Sequence, residues 1–211
     1  MCPLFFICAL GLVAVTPLHF LSVEHLKLEA KYGKEKGAKI GEICSYISGW
    51  GFFLFWIGTW VSPQPRFSIP AFQNQLFSIP FTDLAVPMLH LVVFVPLFAV
   101  GAWLGVKGVS ETTLKVAETH KTERIITTGV YSIVRHPQYF GGLLAHMGTT
   151  FLLSAWYSLL STPLMIALIF LMSRKEEEEL IREFGKEYED YTKSVPMIVP
   201  GTRARQNRKN C

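Results

Sequence analysis

The chain has 211 residues, enough for one domain or a modest helical bundle, and half of them are hydrophobic. Only 17% are charged, well below the roughly 25% of an ordinary soluble domain. The net charge of +4 is too small to argue for a nucleic-acid partner, and the four cysteines (Cys2, Cys8, Cys44, Cys211) show no C-x-x-C spacing, so neither a metal site nor a disulfide framework is expected.

The first segment, Met1–Val23, holds no Lys, Arg, Asp or Glu. It lacks a basic leader and a small-x-small cleavage site, so it reads as a retained membrane helix rather than a cleaved signal. Glu24–Cys44 follows with five lysines, and Ser45–Val61 is again charge-free. Ser62–Asp83 contains "FSIP" twice and several prolines, which predicts an irregular or interfacial lid over the helix ends. Leu84–Val106 is the third charge-free run. Its Pro87 and Pro96 predict a kink, tolerated where neighbouring helices satisfy the freed carbonyl. His90 in that run is an intramembrane ionisable group and hence a functional candidate. A neutral imidazole bonded to a neighbouring helix is the simpler reading.

Phe140–Ser173 is charge-free, too long for one span and short for two, with Ser161-Thr162-Pro163 interrupting it. It reads as a helical hairpin, 140–173, that breaks near Tyr157–Pro163. The expected fold is therefore an all-α integral membrane bundle of about five transmembrane helices ending in that hairpin. Basic residues test the topology. They number five in Glu24–Cys44, one in Ser62–Asp83, five in Lys107–Tyr139 and nine from Arg174 onward. With the N-terminus outside and the C-terminus cytoplasmic, all but Arg66 face the cytoplasm, as the positive-inside rule asks. Such a basic face suits anionic membrane lipids, in the plasma membrane or the endoplasmic reticulum. No obligate protein partner is implied.

A hairpin enters and leaves on one side, so two polar clusters distant in sequence should meet. At the entry, "GVYSIVRHPQYFGG" (Gly129–Gly142) places Arg135 and His136 before Pro137, which reads as a helix start. A helix N-terminus and an arginine together can hold a carboxylate. Tyr131 and Tyr139 offer flat faces. At the exit, "RKEEEELIREFGKEYEDY" has Leu180, Ile181 and Phe184 as an apolar stripe, Gly185 as a break, then Tyr188 and Tyr191. Glu176 and Glu177 lie nearest the membrane and within reach of the entry. Glu178 and Glu179 read as a solvated face.

The order G-V-Y-x-x-x-R-H-P-x-Y-x-G, a hydrophobic hairpin, E-E, F-G-x-x-Y-x-x-Y and V-P resembles the isoprenylcysteine carboxyl methyltransferase family. The wider group of small membrane methyltransferases, phospholipid methyltransferases included, is similar too. The resemblance covers Glu123–Pro200. It implies a bundle of membrane helices with S-adenosylmethionine in a cytoplasmic pocket and S-adenosylhomocysteine as product. Carried over by motif, the cofactor contacts are Glu123, Arg124, Ile125, Ile126, Tyr131, His136, Pro137, Gln138, Tyr139 and Glu176. Arg174 is the nearest match to the family's substrate-facing arginine, and Arg174 or Arg135 would orient a carboxylate acceptor. The implied reaction is methyl transfer to a lipophilic acceptor entering from the bilayer, foremost the carboxylate of a prenylated cysteine. Phospholipid amines and small thiols are the alternatives within the fold. The division implied is 1–106 for three N-terminal spans, 107–200 for the cofactor core, and 201–211 for a basic disordered tail. NADPH-dependent sterol-reductase-like proteins share a similar R-H-P…E-E ending. They are longer with more helices, so five spans favour the methyltransferase.

Overall fold

Each charge-free run supplies helix, and the helices Lys34–Val61, Met88–Thr112 and Thr162–Phe184 outrun the apolar stretches that seed them. The structure, a computed structural model, describes residues 3–69, 76–78, 85–119, 122 and 124–201. Helix α1 (Pro3–Val23) is followed by the short α2 (His25–Tyr32) and by α3 (Lys34–Val61), whose first third is the lysine-rich segment. Strands β1 (Leu76–Ser78) and β2 (Ala85–Pro87) pair antiparallel, Phe77 opposite Val86. Helix α4 (Met88–Thr112) and α5 (Leu114–Thr119) come next, then a 3-10 turn at Gly129–Ser132. The chain ends in α6 (Pro137–Leu152), α7 (Trp156–Leu160), α8 (Thr162–Phe184) and α9 (Lys186–Ser194). Glu123 and the tail from 202 onward lie outside the described residues, as does most of 70–84.

Three expectations need correction. The stretch expected to be irregular carries strand β1, which pairs with β2 at the start of the third charge-free run, and a bridge from Arg66 to Ala155. Pro87 precedes α4, so only Pro96 lies inside that helix. The hairpin breaks twice, at Leu153–Ala155 and at Ser161, with α7 between. Helix α8 passes the membrane exit near Ser173 and ends at the break expected at Gly185. It runs on through the glutamates to Phe184, because no Gly or Pro intervenes before Gly185.

Among the described residues, three helices are long and apolar enough to cross a membrane: α1, α3 and α4. At about 1.5 Å per residue, the 21 residues of α1 reach the ~30 Å of a hydrocarbon core. Helix α6 has 16 residues, and the second half of α8 is charged. Large apolar side chains point outward, with Leu10 and Leu54 each 68% exposed and Val106 70%. That surface suits lipid, and the protein is a helical membrane protein.

Two long contacts organise the bundle, α1 against α3 and α4 against α6. The second is made by glycine. A Cβ at Gly141 would stand 2.5 Å from the Gly101 carbonyl oxygen and 3.1 Å from the Gly105 nitrogen. Small residues let helix backbones approach closely in lipid, where dispersion rather than water exclusion drives association. Between the two pairs, Leu12, Trp56, Met165 and Leu168 form the core of α1, α3 and α8. Trp56 donates from Nε1 to His146 Nδ1 at 2.9 Å, joining α3 to α6.

The polar connections collect at opposite ends. At the loop end, Trp156 N–H donates to Pro65 O (3.1 Å) and Phe67 N–H to Ser154 O (2.9 Å). There His90 is fully buried, 2.9 Å from Ser154 Oγ and ringed by Phe67 and Phe151, as the bonded-imidazole reading expects. At the other end, Glu24, the 3-10 turn and the glutamates of α8 come together.

The glycine contact makes a prediction. Gly141→Val puts side-chain atoms into backbone that cannot yield, and overpacking of this kind costs about 1–3 kcal/mol or more. Thermal unfolding of detergent-solubilised protein should show a clear loss of Tm. Gly105→Ala, where a Cβ meets nothing within 4 Å, should leave Tm unchanged.

Candidate active site

Local chemistry shapes the entry motif first. Gly129 adopts φ +57°, in the left-handed region that glycine enters without strain. This turns the Val130 N–H toward α4, where both carboxylate oxygens of Glu111 accept it (3.1 and 3.3 Å). Pro137 opens α6 at its first turn, where its missing N–H is no loss. The residues just before it are pinned by the chain that follows α9. Arg135 N–H donates to Pro196 O at 2.9 Å, and His136 N–H donates to Met197 O at 3.0 Å.

The exit helix supplies the carboxylates. Neighbours on a helix project about 100° apart, so Glu176 and Glu177 reach different partners. Glu177 takes a bidentate fork from Arg135, Nε to Oε1 at 2.7 Å and Nη2 to Oε2 at 2.8 Å. Arg135 Nη1 donates to the carbonyls of Thr192 (3.0 Å) and Val195. Glu176 accepts from Tyr139 Oη, faces His136 Nδ1 at 3.4 Å, and meets His19 Nε2 of α1 at 3.1 Å. His136 Nε2 lies 3.1 Å from Glu177 Oε1. Tyr139 also stacks on His136, ring centres 5.7 Å apart. Arg135 and His136 are each 7% exposed.

Both ring nitrogens of His136 face carboxylates, and only the imidazolium donates from both. Burial alone would lower its proton affinity, but hydrogen bonds and charge from Glu176 and Glu177 outweigh burial and raise it. Burial pushes the Glu177 carboxyl up, yet His136 and Arg135 together hold it below the ordinary 4.5. Two positive and two negative groups thus neutralise one another in a nearly closed space.

Beside this cluster lies a cleft of about 310 Å³ lined by Glu111, Arg124, Ile125, Ile126, Thr127 and Thr128. Tyr131 stands between cleft and cluster. Burial pushes its hydroxyl up, Thr112 and Gln138 pull it down, and the charges of Glu176 and Glu111 push it further up. Its Oη accepts from Gln138 Nε2 at 3.3 Å, and its carbonyl accepts from Tyr191 Oη at 2.6 Å. Below it, Tyr188, Tyr191 and Val195 pack with Ile125, Leu180, Ile181 and Phe184, the stripe that the sequence outlines.

The residues expected at the site divide into three groups. Arg135, His136, Pro137, Gln138, Tyr139, Tyr131 and Glu176 come together, and Arg124, Ile125 and Ile126 line the adjoining cleft. Arg174 stands apart, exposed on the side of α8 that carries Leu171 and Glu178. Glu179, expected on a solvated face, is 8% exposed and pairs with Arg182 and with Lys175 (3.7 Å). Its cations lie one helical turn to either side, the spacing at which helix pairs form. Two residues of the arrangement carried no assignment in the sequence. They are Glu111 and His19, an ionisable side chain inside a charge-free span, whereas Glu177, expected within reach of the entry, is the partner of Arg135.

The donor set suits a charged nucleoside. It offers carboxylates for hydroxyls or a cation, a guanidinium at Arg124 for an anion, and apolar walls at Ile125 and Ile126 for a base.

Residues 89–187 match the phospholipid methyltransferase family. A protein-S-isoprenylcysteine O-methyltransferase of Schizosaccharomyces pombe is 34% identical over 94 residues, 44% of this chain and 40% of the relative. That of Homo sapiens is 39% identical over 85 residues, 39% and 30% of the two chains. Methanethiol S-methyltransferase 2 of Bradyrhizobium diazoefficiens is 42% identical over 80 residues, 36% and 29%. The chain therefore spans between 29% and 40% of the length of these relatives. No solved structure matches.

The charge cluster predicts how stability follows pH. His136 is raised from 6.5, so its contribution is full below that value and is lost as pH rises through the higher folded one. Glu177 is lowered from 4.5, so its contribution is full above that value and is lost as pH falls through the lower folded one. Tm should be flat between 4.5 and 6.5 and decline above. His136→Gln should flatten the decline on the alkaline side. Arg135→Gln strands a buried carboxylate, and the expected loss is about 3–5 kcal/mol, read from the same unfolding curves.

Proposed function

We propose that the chain is an integral-membrane methyltransferase using S-adenosylmethionine; the match of residues 89–187 to the phospholipid methyltransferase family and the likeness to isoprenylcysteine O-methyltransferases support this reading. The acceptor in this reading is lipophilic, the carboxylate of a prenylated cysteine. One observation carries it: Tyr139 at the start of α6 donates to Glu176 of α8, so the two polar ends of the hairpin form one site. Five spans are proposed with it, the N-terminus outside and the site cytoplasmic, in plasma membrane or endoplasmic reticulum. In support, α7 and the hairpin tip bond to Pro65 and Phe67 at the loop end, opposite the glutamates.

S-Adenosylmethionine supplies, when bound, a methyl group on a sulfonium. The chain has no proton to move when the acceptor is a carboxylate. One carbon–sulfur bond breaks, one carbon–oxygen bond forms, and a positive and a negative charge vanish together. Positioning and exclusion of water then do most of the catalysis, up to about 7–11 kcal/mol in favourable cases. The cleft of Arg124, Ile125, Ile126 and Glu111 would hold the cofactor with Tyr131 and Glu176, and residues 107–200 are its core. Arg174, exposed on α8, is the guanidinium available to orient an acceptor carboxylate. Arg135 has its donors on Glu177, Thr192 and Val195, so its part is to hold Glu177 and, through it, His136.

A second reading takes a thiol acceptor. It is favoured by the methanethiol methyltransferase among the relatives and by the carboxylate of Glu176 with the imidazole of His19 beside it. A thiol releases a proton, and a carboxylate–imidazole pair is a suitable base. Methylation of farnesylcysteine set against a small thiol separates the two readings.

Titration calorimetry on solubilised protein tests the class of enzyme. S-Adenosylhomocysteine should bind and NADPH should not. Glu176→Ala and His136→Ala should each weaken that binding at least about tenfold, the loss of one charge-assisted hydrogen bond. Glu178→Ala, at an exposed position, should not. Binding of NADPH alone would reverse the assignment.

A further inference from the structure

Helix α1 lies outside residues 89–187, yet it reaches the site. Two successive residues of α8 are tied to it. Lys175 Nζ pairs with Glu24 at the end of α1, and Glu176 Oε1 lies 3.1 Å from His19 Nε2. His19 Nε2 is also 3.4 Å from Tyr139 Oη. The imidazole is 3% exposed. Its neighbours on α1 are apolar or small, and no Lys, Arg, Asp or Glu occurs between Met1 and Val23. An ionisable side chain inside a span is rare and tends to serve the protein's function.

We infer that His19 is a positioning residue of the site: through Nε2 it fixes the Glu176 carboxylate in the orientation that meets Tyr139 and His136. The inference rests on the methyltransferase reading and extends it to a helix that the family comparison does not cover. The physical reason is that a carboxylate on a helix has freedom about three side-chain torsions, and Tyr139 and His136 (3.4 Å) both reach it from the start of α6, which leaves a tilt open. A donor from another helix closes it. Tyr139 comes from α6 and His19 from α1, so Glu176 is held from two sides of α8. With Nε2 carrying the hydrogen, His19 donates to Oε1, and a charged acceptor makes that bond stronger than a neutral one. Positioning to within fractions of an ångström is what such supporting hydrogen bonds provide at a binding site.

The test compares His19→Leu, which keeps volume and removes the donor, with His19→Gln, whose amide N–H reaches about as far as Nε2. S-Adenosylhomocysteine affinity is measured by calorimetry and folding by thermal unfolding, both also in a Glu176→Gln background. The expected results are a loss of affinity of about tenfold in His19→Leu, from one charge-assisted bond, and its recovery in His19→Gln. In the Glu176→Gln background the Leu substitution should have little further effect, the mark of a direct coupling. Unchanged affinity in His19→Leu overturns the inference. So does equal loss in Leu and Gln that adds to the loss from Glu176→Gln, which would mean that His19 only fills space. If the wild-type protein binds no S-adenosylhomocysteine, the methyltransferase reading falls first and the inference with it.

Discussion

Glu176 and Glu177 are carried inward side by side on α8, and the burial of two adjacent carboxylates sets what the rest of that end must supply. Buried charges are expensive to desolvate unless they are paired and hydrogen-bonded. The helix splays the two side chains, so one partner cannot serve both. Glu177 receives Arg135, and Glu176 receives Tyr139 and His19, while His136 faces both. Every segment at that end is thereby drawn to one helix: α1 through His19 and Glu24, α6 through Tyr139, and the chain after α9 through the carbonyls that hold Arg135. Besides its direct packing on α8 through Tyr188 and Tyr191, α9 has an indirect attachment. Arg135 binds Glu177 with one edge of its guanidinium and the carbonyls of Thr192 and Val195 with Nη1, so α8 and α9 are joined across a residue that belongs to neither.

The hairpin brings these parts to one level. Helix α6 has 16 residues, and the apolar part of α8 is shorter than the whole helix, so the pair cannot extend as far as α4. Its tip is held at the loop end by Pro65 and Phe67, and its feet rest on the charge cluster. Glycine contact between α4 and α6 fixes the lateral spacing, placing Gly108 under Gln138 and Glu111 one turn later against the Val130 amide. The cleft wall and Tyr131 are thus set by α4, the helix that begins the family match.

Much of this is legible in the sequence where the cause is local. Charge-free runs, Pro137 at a helix start, Gly185 at a helix end and the Leu180–Ile181–Phe184 stripe all follow from propensity and period, and each is present in the structure. The convergence of Tyr139 and Glu176 follows from topology, since a hairpin returns to its own side. Features decided by tertiary packing were hidden. Glu179 looks solvated in a run of four glutamates, yet it is buried on a face that Val23, His25, Leu26 and Glu29 share. His19 looks like part of a lipid-facing span, and it becomes part of the site because α8 continues as helix past the membrane exit. The strand pair at 76–78 and 85–87 combines three-residue segments, too short for any alternation to register.

The charge pattern also separates the roles of the two entry-motif cations from that of Arg174. A guanidinium already bound by a buried carboxylate and two carbonyls cannot also orient a substrate without abandoning bonds worth more than the new ones, because the groups left behind are out of reach of water. Arg135 is in that position, and His136 nearly so. Arg174 lies two residues before Glu176, on the exposed side of α8 and beyond the neutralised cluster. In the proposed reaction Arg174 would be a cation that a negative acceptor meets on its way to the site, while the cofactor is held by groups whose charges already cancel. Cancellation favours the reaction itself, since the charges of sulfonium and carboxylate disappear on the way to product and a site with strong net charge would stabilise one of the reactants instead.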